Sequence, residues 1–238
     1  MKGKVFLERA LSKLGIASRT QAREWILAGL VQVNGDTIKD SRHLVSPEKD
    51  LFSLKNTRLK KAEEFLIMLH KPKRYITTKQ DEKGRQTVYD LLPNELHHLH
   101  PVGRLDMHTT GLLLLSSNTR LSSYLTSLSA QIERVYLVLV GGLMTEEKKV
   151  LCLKGIEDDG EILRATAIKI KKTSGKESLL LVTLTEGKNR EIRRLFQAIG
   201  FRVLCLKRIS FGPWHLEDLP IGKWREVKPE LIVMQKIR

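Results

Sequence analysis

The chain has 238 residues, with 42 lysines and arginines against 27 aspartates and glutamates, so its net charge is +15 and its pI is near 9.9. This length allows one large domain or a large domain with a small one, and the positive charge is typical of proteins that bind nucleic acids or anionic membrane surfaces. No apolar run approaches membrane-spanning length and the basic first residues contain no signal-peptide core, so we expect a cytoplasmic nucleic-acid-binding protein.

Residues 1–60 form a unit in which positive charge is concentrated. They hold 12 basic and 6 acidic side chains, which is roughly twice the net charge density of the rest of the chain. Apolar spacing predicts one helix over residues 6–14 and a second over residues 19–28, with Ser18 as the N-cap of the second. Two valines then alternate into Asn34-Gly35, a strong signal for a hairpin turn. The predicted order is helix, helix, hairpin.

The string LERALSKLGIASRTQAREWILAGLVQVNGDTI places two arginines four residues apart on the second helix, away from its apolar stripe. Positive charge beside a helix N-terminus is a ready phosphate site, and a solvated basic face is the alternative. The same string resembles the small RNA-binding domain named after ribosomal protein S-four. The resemblance implies that the residues facing RNA are Lys13, Ser18, Arg19, Arg23 and Asn34.

Residues 55–64, KNTRLKKAEE, are polar and charged, which is typical of a tether between domains. We therefore place one domain over residues 1–60 and a second over residues 65–238. In the second, strands are predicted at 65–70, 75–78, 112–115, 135–140, 165–170, 179–184 and 203–206, and helices at 119–128, 145–153 and 190–198. Strands outnumber helices and do not alternate regularly with them, which favours an α+β domain with a largely antiparallel or mixed sheet.

The segment GRLDMHTTGLLLLSSN, residues 103–118, places one carboxylate between an arginine and an apolar strand. Gly103 and Gly111 bound a loop that holds Asp106, and the four leucines after the loop are typical of a fully buried strand. Arg104 can hold the Asp106 carboxylate ionised and oriented. An isolated pair of this kind is more often a structural loop closure, so its meaning depends on the rest of the chain.

Three strings put polar groups at the end of, or inside, an apolar strand: GRLDMHTTGLLLL, RVYLVLV at 134–140 and LLLVTLTEGKNREIRRLF at 179–196. Together they resemble the bacterial ribosomal RNA pseudouridine synthases of the RsuA and RluB type. The resemblance extends to the first domain and to KPKRYITT at 71–78. It implies an enzyme that isomerises uridine to pseudouridine in ribosomal RNA. The string KRISFGPWHLEDLPIGKWREV resembles the large-subunit branch, which favours 23S over 16S ribosomal RNA.

The resemblance makes Asp106 the essential group, acting either as a nucleophile at ribose C1′ or as a base toward the C2′ proton. Either role needs an ionised carboxylate. Arg193 lies at the edge of the buried stripe of a predicted helix, from where it can reach inward, and the resemblance implies that it pairs with Asp106. Arg190 and Arg194, on the same segment, are expected to face RNA or solvent.

Further positions follow from the same resemblance. Tyr136 lies in a strand buried on both sides and matches the tyrosine that stacks on the target base, a core tyrosine being the alternative. Arg104 is implied to hold the flipped nucleotide open, Ile192 to contact the base, and Lys71 to contribute to substrate binding. Arg74 stands at a position of glycine in the family, so a positive φ there would be strained.

Neither a metal nor a cofactor is expected. His97, His98 and His100 lack a carboxylate or cysteine at ligand spacing, and the two cysteines form no C-x-x-C pattern. The expected partner is ribosomal RNA or an assembling ribosomal subunit, with the chain acting as a monomer. The alternative function is that of a non-catalytic RNA-binding ribosome-assembly factor. The joint presence of an aligned acid, phenol and cation favours the enzyme.

Overall fold

A computed structural model describes residues 3–59 and 65–229 of the chain, which form two bodies with separate hydrophobic cores. The elements of the first are β1 (Val5–Phe6), α1 (Leu7–Lys13), α2 (Arg19–Leu27), β2 (Val31–Val33), β3 (Asp36–Thr37), β4 (Leu44–Val45), β5 (Phe52–Leu54) and β6 (Thr57–Arg58). Strands β3, β2, β5 and β6 form one sheet in that order, and β1 pairs with β4. The predicted order of helix, helix and hairpin is present, and the Ser18 hydroxyl caps α2 by accepting from the Gln21 N–H at 3.1 Å.

The predicted tether starts too early. Lys55 and Asn56 adopt positive φ angles of 47° and 65°, which turn the chain from β5 back into β6. Ser53 pairs with Arg58 across this hairpin. Because β6 pairs with β5 across this hairpin, the chain through residue 59 belongs to the first body. The rest of the predicted tether, residues 60–64, lies outside the described residues, as do residues 1–2 and 230–238.

The second body is built on one large sheet. Its strands are β7 (Leu66–Lys71), β8 (His100–Pro101), β9 (Thr110–Ser116), β10 (Arg134–Gly141), β11 (Ile156–Asp158), β12 (Glu161–Leu163), β13 (Ala167–Thr173), β14 (Glu177–Leu184), β15 (Arg202–Phe211), β16 (Trp214–His215) and β17 (Trp224–Glu226). Its helices are α3 (Thr119–Thr126), α4 (Glu146–Lys154) and α5 (Glu191–Ala198), with 3-10 turns at Val88–Leu91, Asn94–Leu96 and Leu128–Ala130.

The sheet has the mixed character predicted for it. Its main path runs β13-β14-β10-β15-β9-β7-β17, with β16 and β8 paired at its side, and β11 and β12 form a separate hairpin. Strands β9 and β15 run parallel, whereas the other pairs are antiparallel. The α+β fold class is confirmed.

One predicted strand does not form. Residues 75–78 contribute a single bridge, between Ile76 and Thr87, and the rest of the segment is irregular. The Thr77 hydroxyl instead donates to the Leu105 carbonyl at 2.9 Å. The polar groups of this segment therefore support the loop that carries Asp106 and do not extend the sheet.

Strand β9 is buried on both faces, as its four leucines predict. Leu113 and Leu115 belong to the larger core, on the side of Tyr136, and Leu112 and Leu114 face the second core beneath α3. All four are fully buried. A strand covered on both sides needs apolar residues at every position, so the uninterrupted run has a direct structural cause. The strand gives the loop before it a rigid base.

The two bodies meet at α3, the helix that follows β9. Arg120 on this helix donates to the Glu48 carboxylate of the first body at 2.9 Å. Both side chains are largely exposed, so this ion pair contributes little to stability. A crevice beside the contact is lined by Gln21 from the first body and by Lys79 and His100 from the second.

Candidate active site

The three strings singled out in the sequence converge on one cleft. It has a volume of about 380 Å³ and is formed by the loop before β9, by β10 and β15, and by the start of α5. The cleft is lined by Asp106, Arg104, Tyr136, Ile192, Arg193 and Arg190. Residues up to 89 positions apart are thus brought together by the pairing of β10 with β15 and of β15 with β9.

Lys71 holds the Asp106 loop from beneath. Its side chain is fully buried at the end of β7, and its Nζ donates to the carbonyls of Asp106 at 3.0 Å, Thr109 at 2.9 Å and Pro72 at 3.0 Å. Burial lowers the pKa of Lys71 to about 8. Its three donors are used on backbone carbonyls and it does not line the cleft, so these contacts favour a positioning role over the predicted contact with substrate.

The Asp106 loop is also contacted by a residue with a strained backbone, Arg74. Arg74 has a φ of 72°, the left-handed conformation that glycine adopts without cost and that an arginine adopts at a cost of roughly 1–3 kcal/mol. Its N–H donates to the Met107 carbonyl at 2.8 Å. The backbone at Arg74 therefore braces the residue next to Asp106, and the strain expected from the sequence is present.

Gly111 sets the distance between β9 and β15. It pairs with Arg208 in the parallel register and has a φ of +108°. A Cβ atom at this position would lie 2.1 Å from the Arg208 carbonyl oxygen. Glycine is therefore required for the close approach of these two strands, and the cleft is built across their junction.

The cation at ion-pair distance from Asp106 is Arg190. Its Nη1 lies 3.9 Å from the Asp106 Oδ2, and the Asp106 side chain is 36% exposed. Helix α5 begins only at Glu191, and Arg190 precedes it in a left-handed conformation with a φ of 50°. Arg190 is also half-exposed and lines the cleft, so its predicted RNA-facing role stays a prediction.

Arg193 was predicted to pair with Asp106, and no such ion pair forms. Its Nη2 donates to the His108 carbonyl at 3.1 Å and its Nη1 to the Val203 carbonyl at 3.4 Å. Burial and the charge of Arg190 lower the pKa of Arg193, whereas the nearby Asp106 charge opposes this shift. Arg193 therefore lies close enough to Asp106 to interact through charge while bonding to the backbone of its loop.

Arg194, predicted to face RNA or solvent, is engaged in ion pairs within the protein. Its guanidinium bonds to the Asp158 carboxylate at 2.5 Å and to the Glu161 carboxylate at 2.6 Å, and to the Asp158 carbonyl at 2.7 Å. These acids belong to the β11–β12 hairpin, which the sequence did not reveal. The Lys188 Nζ donates to Ile162 of the same hairpin at 2.6 Å, so α5 and its preceding loop are fastened to the hairpin.

Tyr136 and Ile192 form apolar walls of the cleft. Tyr136 on β10 is 8% exposed and Ile192 at the start of α5 is 3% exposed. Tyr136 pairs across the sheet with Arg208 on β15, so their side chains share a face of the sheet. These positions agree with a surface against which a planar base could pack.

Three buried charged residues of the cleft were not predicted from the sequence: Arg134, Arg208 and Glu191. Glu191 accepts from the Lys188 N–H at 3.0 Å, and burial followed by the nearby Glu186 carboxyl raises its pKa to about 7. The sequence did contain a signal for the two arginines: Arg134 and Arg208 interrupt the apolar alternation of β10 and β15. A charge at a core position of a strand needs a special environment.

The predicted RNA-facing residues of the first body divide into two groups. Ser18 caps α2, and Asn34 bonds to the Asp50 carboxylate at 3.1 Å and the Leu51 N–H at 2.9 Å, so both build the local structure. Arg19 donates to Glu8 at 2.8 Å. Arg23 is exposed and Lys13 is partly exposed. Neither of these two makes an ion pair within 4 Å among the described residues.

Residues 3–59 and 65–229 contain no group of three or more histidine, cysteine, aspartate or glutamate residues arranged to hold a metal ion. They also contain no helix with the length and apolar character needed to cross a membrane.

Comparison with known proteins gives the family. Residues 65–198 match the model of RNA pseudouridylate synthase and residues 7–51 match the S4 domain. The ribosomal large subunit pseudouridine synthase B of Bacillus subtilis strain 168 is 32% identical, over 94% of this chain and 92% of that protein. The protein of the same name from Salmonella typhi is 37% identical, over 93% of this chain and 78% of that protein.

A solved structure agrees with these matches. The crystal structure of a pseudouridylate synthase superposes with a TM-score of 0.67 at 27% identity, covering 98% of each chain. The family model covers the cleft residues from Arg104 to Arg193, and the solved structure covers nearly the whole chain. The chain belongs to the RNA pseudouridine synthase family, with an S4 domain at its N-terminal end.

Proposed function

We propose that this protein isomerises a uridine of ribosomal RNA, with 23S ribosomal RNA favoured, and that Asp106 is the essential catalytic group. The observation that carries the proposal is the convergence of Asp106, Tyr136 and two arginines on a cleft of about 380 Å³. This volume suits one nucleotide and excludes a base-paired duplex. The target base must therefore leave its stack before reaction.

The reaction requires an anionic group beside the ribose. The bond between C1′ and N1 breaks, the uracil turns, and C5 joins C1′. Asp106 either attacks C1′ or removes the C2′ proton, and both roles use the ionised carboxylate. Arg190 at 3.9 Å supplies one neighbouring positive charge, and Arg193 supplies a second. The apolar walls limit the access of water to the sugar.

The flipped base is proposed to rest on the walls of the cleft. The aromatic face of Tyr136 replaces part of the stacking that the base loses on leaving the RNA. Ile192 contacts the base from the side of α5, and Arg104, in the loop at the edge of the cleft, holds the flipped nucleotide. All three line the cleft with Asp106.

The relatives named ribosomal large subunit pseudouridine synthase B support the choice of 23S ribosomal RNA. The S4 domain and the net charge of +15 supply affinity for a phosphate backbone. The proposed place of action is the cytoplasm, on RNA of the ribosome or its assembling subunit, with the protein acting as a monomer. A non-catalytic assembly factor remains the competing function, and it has no use for a carboxylate set between arginines at the mouth of a nucleotide-sized cleft.

The test combines mapping with a matched pair of variants. Pseudouridines in both ribosomal RNAs are mapped in cells that lack the protein and in cells that carry Asp106→Asn or Asp159→Asn. Asp106→Asn should abolish the site lost in the null strain, with a fall in rate of roughly 10⁴-fold or more for the purified enzyme. Asp159 is exposed in a left-handed turn that asparagine adopts readily, so Asp159→Asn should retain full modification.

Two results would contradict the proposal. If the null strain retains every pseudouridine and the purified protein modifies neither ribosomal RNA, the protein does not have this activity. If the site lost in the null strain is modified normally by Asp106→Asn, the carboxylate is not essential. A lost site in 16S ribosomal RNA would correct the choice of substrate and leave the reaction standing.

A further inference from the structure

Arg208 lies at the floor of the cleft and is 2% exposed. It sits on β15, directly across from Tyr136 in the register of the sheet. Its Nε donates to the Leu112 carbonyl at 2.7 Å, and its guanidinium carbon lies 4.9 Å from the centre of the Phe211 ring. One side of the guanidinium is thus fixed by backbone and aromatic contacts.

The other side of Arg208 is not used. Its Nη2 is buried and has no hydrogen-bond partner among the described residues. No carboxylate of those residues lies within 4 Å of its nitrogens. A buried charged donor without an acceptor is costly, so this arrangement indicates that the N–H groups serve a bound molecule.

Arg134 provides an internal comparison. It is also buried, at 6% exposed, it lines the same cleft, and its guanidinium carbon lies 4.9 Å from the centre of the Phe211 ring. Its nitrogens, however, donate to four backbone carbonyls, those of Leu125, Ile132, Thr185 and Glu186. Arg134 therefore has a structural role. Among the described residues of the cleft, the buried side-chain atoms without a hydrogen-bond partner are the Arg208 Nη2, the Arg193 Nε and the Glu191 Oε1, so the unused polar groups gather where a ligand would lie.

The depth of Arg208 identifies which part of the nucleotide it meets. Phosphate groups are strongly hydrated and remain near the mouth of a cleft, where exposed arginines such as Arg190 are available. The base enters furthest, since it packs against the walls formed by Tyr136 and Ile192. The groups of uracil that can accept from a guanidinium are its two carbonyl oxygens.

We propose that Arg208 binds a carbonyl oxygen of the uracil and stabilises the negative charge that develops on the base as the C1′–N1 bond breaks. This inference rests on the proposed function. The electron pair of the broken bond stays on the uracil, where it is shared by N1 and the carbonyl oxygens. Asp106 bonds to C1′ or takes the C2′ proton. C5 then bonds to C1′ as the Asp106–C1′ bond breaks in the first route, or as Asp106 returns the proton to C2′ in the second. The C5 proton is lost and N1 gains one.

A fixed donor aimed at developing charge accelerates bond breaking more than it strengthens substrate binding. Arg208 is therefore proposed as a catalytic residue in addition to Asp106. The expected loss on removing one such donor is about 100-fold to 1,000-fold in rate. The effect should depend on how easily the uracil departs.

The test measures single-turnover consumption of uridine and of 5-fluorouridine at the mapped site of a 23S ribosomal RNA fragment. The fragment is digested to nucleosides, which are separated by liquid chromatography before mass spectrometry because uridine and pseudouridine have the same mass. Fluorine stabilises the departing uracil anion, so a 5-fluorouridine substrate needs less help from the protein. We expect Arg208→Gln to slow the reaction of uridine by about 100-fold and that of 5-fluorouridine by a clearly smaller factor. RNA affinity should stay unchanged, and Arg208→Lys, which restores a cation, should recover part of the uridine rate.

Arg134→Gln is the matched control, with the melting temperature measured for every variant. It should lower the melting temperature and slow both substrates by equal factors. The proposal is overturned if Arg208→Gln behaves in the same way, since its role would then be structural. It is also overturned if Arg208→Gln weakens RNA binding without slowing the bound complex, as a phosphate contact would. If the wild-type protein consumes neither substrate, the proposed function itself is overturned. That result differs from the two outcomes above, which concern only the role of Arg208.

Discussion

Lys71 is a single buried side chain that holds the loop of the proposed catalytic residue Asp106. Its ammonium group joins the end of β7 to the carbonyls on either side of the Asp106 turn. Removing it would leave these carbonyls without their donor and would free the loop to shift. A misplacement of about 1 Å is enough to reduce turnover by roughly 100-fold.

We expect Lys71→Met to reduce the single-turnover rate by about 100-fold with little change in RNA affinity, because Lys71 does not line the cleft. The neighbouring variant Lys73→Met changes an exposed side chain and should keep the wild-type rate. If Lys71→Met instead loses RNA affinity and keeps the wild-type single-turnover rate, Lys71 binds substrate.

The same lysine predicts a dependence of stability on pH. The folded-state pKa of Lys71, about 8, is below its ordinary value of 10.5, so the unfolded chain binds more protons between these values. The free energy of unfolding contributed by this group therefore rises between pH 8 and 10.5, by about 3 kcal/mol. Denaturant titrations should show wild type gaining stability relative to Lys71→Met over this window.

At the scale of the elements, the cleft depends on how closely β9 and β15 approach. Both strands carry active-site residues at their junction, with Asp106 before one and Arg208 in the other. Gly111 permits this approach because it has no Cβ atom to meet the Arg208 carbonyl oxygen. A side chain there would force the strands apart and displace both walls of the cleft.

Gly111→Ala should therefore lower the free energy of unfolding by about 3 kcal/mol or more, from the steric overlap together with the positive φ. Gly175→Ala is the control, since a Cβ there meets no atom within 4 Å, and it should change stability by less than about 0.5 kcal/mol. Chemical denaturation measures both. Equal stability of the two variants would show that the strands can separate without cost.

At the scale of the whole molecule, both bodies carry positive charge that can bind RNA. The first body offers Lys13 and Arg23, which are free of close ion pairs among the residues described, and it adjoins the second body at α3. Strand β13 lies at the far edge of the large sheet, four strands from β9. That separation is about 19 Å at the usual strand spacing, so the two regions should contribute differently to RNA binding.

Replacing Lys13 and Arg23 together with glutamine should weaken RNA binding and reduce the slope of log affinity against log salt by about 1 to 2. The slope reports the number of phosphates neutralised, so it separates contact with RNA from a general loss of folding. The matched double variant, Lys169→Gln with Lys171→Gln on exposed positions of β13, should leave the slope near that of wild type. If the two double variants have equal slopes, Lys13 and Arg23 do not contact RNA phosphates, and the first body is not part of the RNA interface through these residues.

Local patterns were sufficient for much of this molecule. The N-cap at Ser18, the buried leucines of β9 and the positive φ penalty at Arg74 depend on near neighbours in the chain, so periodicity and residue type predict them. The family resemblance added the grouping of Asp106 and Tyr136. The strand predicted at residues 75–78 failed because its hydrogen bonds go to a loop about thirty residues away.

By itself, the sequence determined the α+β class, the succession of a basic first domain and a larger second one, and the candidacy of Asp106. The tertiary structure alone decided which arginine stands within 4 Å of that acid, that Lys71 acts from beneath the loop, and that Arg208 keeps a free donor in the cleft. Burial along a strand follows from the alternation of its own residues. Which guanidinium meets which oxygen depends on the spacing of strands far apart in the chain, and that spacing is fixed only when the sheet is packed.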